Sequence, residues 1–214
     1  MIETKRRILD TAERLFGEQG YDAVSLRHII GEAGVNLAAV HYHFGSKEDL
    51  LAEVVLRKIG PVNEARLARL DQAEEQADGG PLPVETILRA FLEPTETAAQ
   101  RSPEFVKFMG RMVSEGHIER IAKERLQPLL ERFVTALERS LPELSREELG
   151  WRIYFMFGAM SRALCGEEQA WLTGETSSLK DRIEKLITFL DGGFQAQPAA
   201  RQDALVAQHD EVTR

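Results

Sequence analysis

The sequence predicts an all-α protein with a small N-terminal helix-turn-helix head on a larger C-terminal helical bundle. Apolar residues recur at spacings of three and four along most of the chain, and no stretch alternates convincingly as a strand would. Two short capped helices joined by "AGVN" stand between Ser25 and Phe44. From Ser145 onward, apolar residues lie almost all round one helix and then form a narrow seam on the next.

The elements follow in order. Ile8, Ala12, Leu15 and Phe16 make one stripe on a helix that stops at Gly20. Ser25 caps a short helix whose inner face is Leu26, Ile29, Ile30 and Ala33, with Gly34 at the expected left-handed C-terminal position. Asn36 caps a second short helix with Leu37, Val40 and Phe44 inward. Ser46 and Asp49 resemble a capping box that opens a longer helix.

Gly60-Pro61 removes a hydrogen bond and crowds the preceding turn, which predicts a kinked connector. "ADGGPLP" (77–83) is the clearest loop. Phe105, Phe108, Met109, Met112 and Val113 then form one stripe. Ile118, Ala122, Leu126, Leu130, Phe133 and Leu137 form another, interrupted by Pro128.

The segment Ser145–Leu172 has more apolar surface than one subunit can bury, so one side should meet a partner subunit. With the seam Leu179, Ile183, Leu186 and Leu190 it predicts a four-helix homodimer interface. Domain boundaries fall at 1–58 for the head, 59–196 for the bundle and 197–214 for a polar tail of no assigned role.

Composition restricts function. With 43% hydrophobic and 29% charged residues the chain reads as globular. No apolar run nears the roughly 20 residues of a membrane span, and no signal-peptide core is visible, so a cytoplasmic protein is expected. A lone Cys165 cannot build a disulfide framework or a zinc site. An oxidation switch there is the alternative to inert packing. The net charge of −8 sits mostly downstream, because residues 1–58 hold eight cations against nine acids. A head near neutrality can still present a basic face to DNA.

His41 and His43 raise the question of metal. On a helix, residues two apart point about 200° away from each other, so the pair cannot share an ion. No metal or cofactor is expected, and surface histidines facing a polyanion fit better than core packing.

"AGVNLAAVHYHFGSKEDLL" resembles the signature of TetR-type transcriptional repressors, and "ILDTAERLFGEQGYDAVSLRHI" is similar to the same family's first two helices. The resemblance covers residues 5–55. It implies a homodimer that places one recognition helix per subunit in successive major grooves of a double-stranded operator. Ser25 and Asn36 begin helices whose N–H groups and dipoles favour phosphate. Tyr42 and His43 resemble the family's phosphate-contacting positions, and Lys47 would add a point charge to that clamp. Base reading falls to Arg27, Leu37, Ala38, Ala39 and His41, with only apolar contacts from "LAA". Sparse readout of this kind leaves part of the specificity to DNA shape.

The resemblance also implies a small-molecule pocket in the bundle. Candidate lining residues are Phe105, Phe108, Met109, Met112, Phe133, Trp151, Tyr154 and Phe155, each of which could equally be core. "WRIYFMFGAM" further resembles, more weakly, the C-terminal domain of a fatty-acid-responsive repressor. Phe and Met suit an acyl chain, with Arg89 or Arg111 to anchor its head. An apolar effector, a fatty acid or acyl thioester, would then release DNA through the kinked connector. A protein-interaction scaffold without DNA binding is the alternative. An enzyme is not expected, since no nucleophile elbow, phosphate-cradling glycine loop or His-Glu-x-x-His occurs.

Overall fold

The computed structural model describes residues 2–102, 108–110, 112–113, 116–117, 121, 125–165, 174 and 176–198, the side chains of Ile2 and Cys165 excepted. Among the described residues every regular element is helical. These are α1 (Ile2–Gln19), α2 (Leu26–Ala33), α3 (Leu37–His43), α4 (Lys47–Gln76), α5 (Val84–Leu92), α6 (Pro94–Arg101), α7 (Gln127–Ser140), α8 (Arg146–Cys165) and α9 (Leu179–Gln195). None of them is long and apolar enough to cross a membrane.

Local chemistry sets the head. Ser25 Oγ accepts from His28 N–H at 3.1 Å, Asn36 Oδ1 from Ala39 N–H at 2.8 Å, and Ser46 Oγ from Asp49 N–H at 3.0 Å. Each cap satisfies one of the donors that a helix start leaves open. Gly34 closes α2 at φ 59°, where a side chain would be strained, and a Cβ there would stand 3.0 Å from the Arg7 guanidinium. Arg7 itself donates to the carbonyl of Ala33.

The buried residues form two cores. The first joins Ile8, Leu15 and Phe16 of α1 to Ile29, Val40, Phe44 and the Leu50–Val55 stretch of α4. Phe108, Met109, Met112 and Ile121 complete this core from outside the head. A head of this size buries too little by itself, and borrowing downstream side chains is the remedy. The second core is built around α5, whose Val84, Ile87, Leu88, Ala90, Phe91 and Leu92 are all buried, with α7, α8 and α9 against it. Ser161 of α8, fully buried, donates to the carbonyl of Gly110 at 2.6 Å and so ties the bundle to the segment beneath the head.

α4 spans both cores and is continuous where a kinked connector was expected. It runs for 30 residues through Pro61 without a break, with Leu50, Leu51, Val54 and Val55 in one core and Leu70 in the other. A helix-interior proline costs roughly 3 kcal/mol. Burial on both sides of it, at Val55 and Val62, keeps the helix whole. Pro128, by contrast, falls in the first turn of α7, where its missing N–H costs nothing.

Arg66 of α4 is 4% exposed and has no carboxylate partner among the described residues. Its Nε donates to the carbonyl of Phe91 at 2.8 Å, near the C-terminal end of α5, where the helix dipole favours a cation. Its other nitrogens reach Asn63 Oδ1 at 3.0 Å and Thr95 Oγ1 at 3.3 Å, and the guanidinium lies 4.0 Å from the centre of the Phe91 ring. Burial pulls its pKa down to about 9, which still leaves it charged at neutral pH. One side chain thus joins α4 to α5 and α6.

Candidate nucleic-acid interface and ligand cavity

α3 presents a face suited to a groove. Val40 and Phe44 are buried, whereas Leu37 is 49% and Tyr42 73% exposed, and Ala38 and His41 are exposed as well. Leu37 therefore departs from the inward position expected of it. Val40 and Phe44 alone anchor the helix, which frees Leu37, Ala38 and His41 as one outer strip at spacings of one and three. Ala39 and His43 are half-buried, and Tyr42 and His43 meet edge to face at 5.1 Å. Ser25 and Asn36 use their side-chain oxygens as acceptors in the caps, which leaves the Ser25 hydroxyl proton and the Asn36 amide group as donors toward a phosphate, beside the backbone.

Most cations of the head are engaged elsewhere. Lys5 pairs with Glu53, Arg6 with Glu3, Arg14 with Glu18 and Glu32, and Arg57 with Asp10 and Glu13. Arg27 is exposed on α2. His28 beside it is also exposed, though neighbours on a helix diverge by about 100°.

Lys47 has turned inward. Its ammonium donates to the carbonyl of Tyr21 at 2.7 Å and lies 4.0 Å over the Tyr21 ring, and burial holds it below the ordinary lysine range. An ammonium has three donors, so two remain for a phosphate. Lys47→Ala should weaken binding to all duplex sequences alike and lower the slope of log affinity against log salt by about 1. A salt titration of the variant that reproduces the parent slope removes Lys47 from the clamp.

The bundle encloses a cavity of about 240 Å³ walled by α5, α7 and α8. Phe91, Phe133 and Phe157 form its aromatic side, with ring centres of Phe133 and Phe157 at 5.0 and 6.0 Å from Phe91. Ile153 and Met156 face it from α8, and Arg146 is the one charged side chain among the described lining residues.

Of the lining residues expected from sequence, Phe133 is in this wall and most others lie elsewhere. Phe108, Met109 and Met112 are buried in the head core instead. Trp151, Tyr154 and Phe155 are 54%, 62% and 62% exposed on the outer face of α8. Arg89 does not reach the cavity: Glu85, Glu93 and Glu184 hold its guanidinium, and these hydrogen bonds, that to Glu184 foremost, raise its pKa. Phe105 and Arg111 lie outside the described residues, as do Trp171 and the side chain of Cys165. The missed lining residues of α5 carried a signal, since that helix is strongly amphipathic, with six of its nine residues apolar. Among the described residues no cluster of His, Cys, Asp and Glu could hold a metal.

Residues 8–54 match the family described as "Bacterial regulatory proteins, tetR family", and residues 85–193 match "Tetracyclin repressor-like, C-terminal domain". The chain belongs to the TetR family.

TetR-family proteins are DNA-binding transcriptional regulators, not enzymes. Over 101 residues this member is 38% identical to the HTH-type transcriptional regulator AcrR of Shigella flexneri, a match spanning 46% of this chain and 45% of AcrR. It is 35% identical over 69 residues to BetI of Rhizobium meliloti, covering 32% and 34% of the two chains. Among solved structures, a putative tetR family transcription regulator from Shewanella sp. PV-4 superposes with a TM-score of 0.63 at 19% identity, covering 89% of this chain and 97% of that one. At that identity the likeness speaks for the fold alone. Both of these curated relatives are thus matched over less than half their length.

Proposed function

We propose that this TetR-family protein is a homodimeric repressor that leaves its operator when a small apolar molecule fills the cavity between α5, α7 and α8. The observation that carries the reading is α4, one unbroken helix that packs in the core of the reading head at Leu50–Val55 and against the cavity-bearing core at Leu70. A change in how α5 sits on α4 has a rigid path to the head.

The dimer reading rests on the outer faces of the last two helices. Trp151, Tyr154 and Phe155 of α8 and Phe189 of α9, at 71% exposure, leave large apolar surfaces uncovered. Gly158, Gly192 and Gly193 on the same two helices have nothing within 4 Å of where a Cβ would be. A helix-interior glycine costs about 1 kcal/mol against alanine. Three of them beside exposed aromatic rings suit close approach by a second copy. Two helices per subunit would form the four-helix interface.

The cavity narrows the effector. Its 240 Å³ exceeds the 150 Å³ cavity that holds benzene and falls just short of drug-sized pockets of about 300–1,000 Å³. A medium-length acyl chain or a single-ring arene suits it. Arg146 is the charged side chain at the cavity wall, but Glu131 and Glu138 pair with it, so a carboxylate head would compete with these acids, and in a thioester the bulky head group would stay outside.

The experiment is a retardation assay on DNA from upstream of the protein's own coding sequence, titrated with octanoate, decanoate and an uncharged arene. Ile153→Trp fills the cavity and should bind that DNA with parent affinity while ignoring all three compounds. If release persists in Ile153→Trp, the effector sits elsewhere. If the parent never retards the DNA, the repressor reading is lost.

A further inference from the structure

The last turn of α3 locks the His41 imidazole in a way that determines what it can read. His41 and Gly45 are joined twice. Gly45 N–H donates to the His41 carbonyl at 3.1 Å, and the His41 ring meets the Gly45 carbonyl through Nδ1 at 2.9 Å. Gly45 takes φ 82°, a left-handed conformation that glycine adopts without strain, and this turns its carbonyl back towards the helix. A carbonyl only accepts, so the proton between them belongs to Nδ1. In the neutral ring Nε2 is then a bare acceptor. It lies on the far side of the ring from Gly45, and the residue is exposed.

We infer that His41 is a specificity-determining residue that accepts a hydrogen bond from an exocyclic amine in the major groove, the N6 amine of adenine or the N4 amine of cytosine. The inference rests on the DNA-binding reading above. In the major groove, adenine and cytosine present an amine, whereas guanine and thymine present acceptors at the corresponding edge, which a bare Nε2 repels. Leu37 and Ala38 share the outer strip with His41 and offer only apolar contact. On α3, discrimination between amino and keto bases therefore falls to one ring nitrogen. The half-site carries an amino base beside a position where a thymine methyl is favoured.

The test uses the full chain and a randomised duplex pool. The parent protein should select adenine or cytosine at one pair of two-fold-related positions. His41→Phe should lose preference at that pair and keep it elsewhere. Where adenine is selected, replacing it with purine, which lacks the amine, should cost the parent about five- to tenfold per half-site and His41→Phe nothing. His41→Gln, which can pair with adenine through N6 and N7, should restore an adenine preference.

Selection of guanine at that pair means a protonated ring that donates, and overturns the proposal. So does a His41→Phe protein weakened equally on all sequences with a lower salt slope, which marks a phosphate contact. A parent that enriches nothing from the pool fails the DNA-binding reading itself and is distinguishable from both.

Discussion

Phe155→Glu should yield a monomer that no longer retards operator DNA. Phe155 is 62% exposed in the single subunit and touches chiefly its own neighbours, with the Trp151 ring centre at 5.9 Å and that of Tyr154 at 6.1 Å. At so exposed a position a carboxylate stays hydrated in the isolated chain, so the subunit fold should survive. In the proposed dimer the same carboxylate is buried against apolar surface without a partner, a cost of several kcal/mol repeated in both copies. A lone head retains little more than the non-specific affinity of about 10⁻⁴–10⁻⁶ M, against 10⁻⁸–10⁻¹¹ M for specific complexes. The expected loss is at least about a thousandfold. Sedimentation and retardation on the same sample decide the matter: a dimer mass with undiminished affinity places the interface elsewhere, whereas unchanged far-UV dichroism shows that the fold has survived.

The second large effect is expected at Arg66. Arg66→Ala removes the donor to the Phe91 carbonyl and the contact with Thr95, which is itself 8% exposed. Each buried group left unsatisfied costs about 1–3 kcal/mol, so a loss of about 2–4 kcal/mol is expected. In a chain of this length that is a fall in Tm of about 5–15 °C, measurable by thermal denaturation. Phe91 is a cavity wall on which the guanidinium lies, so the substitution should also uncouple effector from operator. Arg66→Lys offers a check, because an ammonium can still donate to the Phe91 carbonyl but cannot form the three-way fork. If Lys restores Tm without restoring release by effector, the planar guanidinium on the Phe91 ring is the coupling element. A Tm unmoved by Arg66→Ala would mean that the buried cation costs as much as it contributes.

Much of the head was legible in the sequence because its signals are local. Ser25, Gly34, Asn36 and Ser46 act within three or four residues of themselves, and each sits at the helix boundary its chemistry demands. The reading face of α3 followed from the same local logic, apart from Leu37. The TetR resemblance, carried on residues 5–55, was likewise a matter of contiguous sequence, and the family match over residues 8–54 agrees with it.

What a buried stripe packs against is not a local property, and there the tertiary structure decided. Helical spacing marks Phe108, Met109 and Met112 as one buried face, but the same spacing serves a ligand cavity or the underside of the head, and they lie under the head. α8 reads as apolar all round, yet only the face with Ile153, Met156 and Phe157 turns to the cavity, while Trp151, Tyr154 and Phe155 turn outward. Charges obey the same limit. Arg89 found three glutamates, one of them 95 residues away, whereas Arg66 found a helix end and an aromatic ring. Pro61 does not break α4, because packing on both sides keeps the helix running through it. Capping and periodicity are set by bonds between near neighbours, so the sequence by itself determined the helices and their ends. Which partner each face meets depends on the sum of many distant contacts, and only the folded chain supplies it.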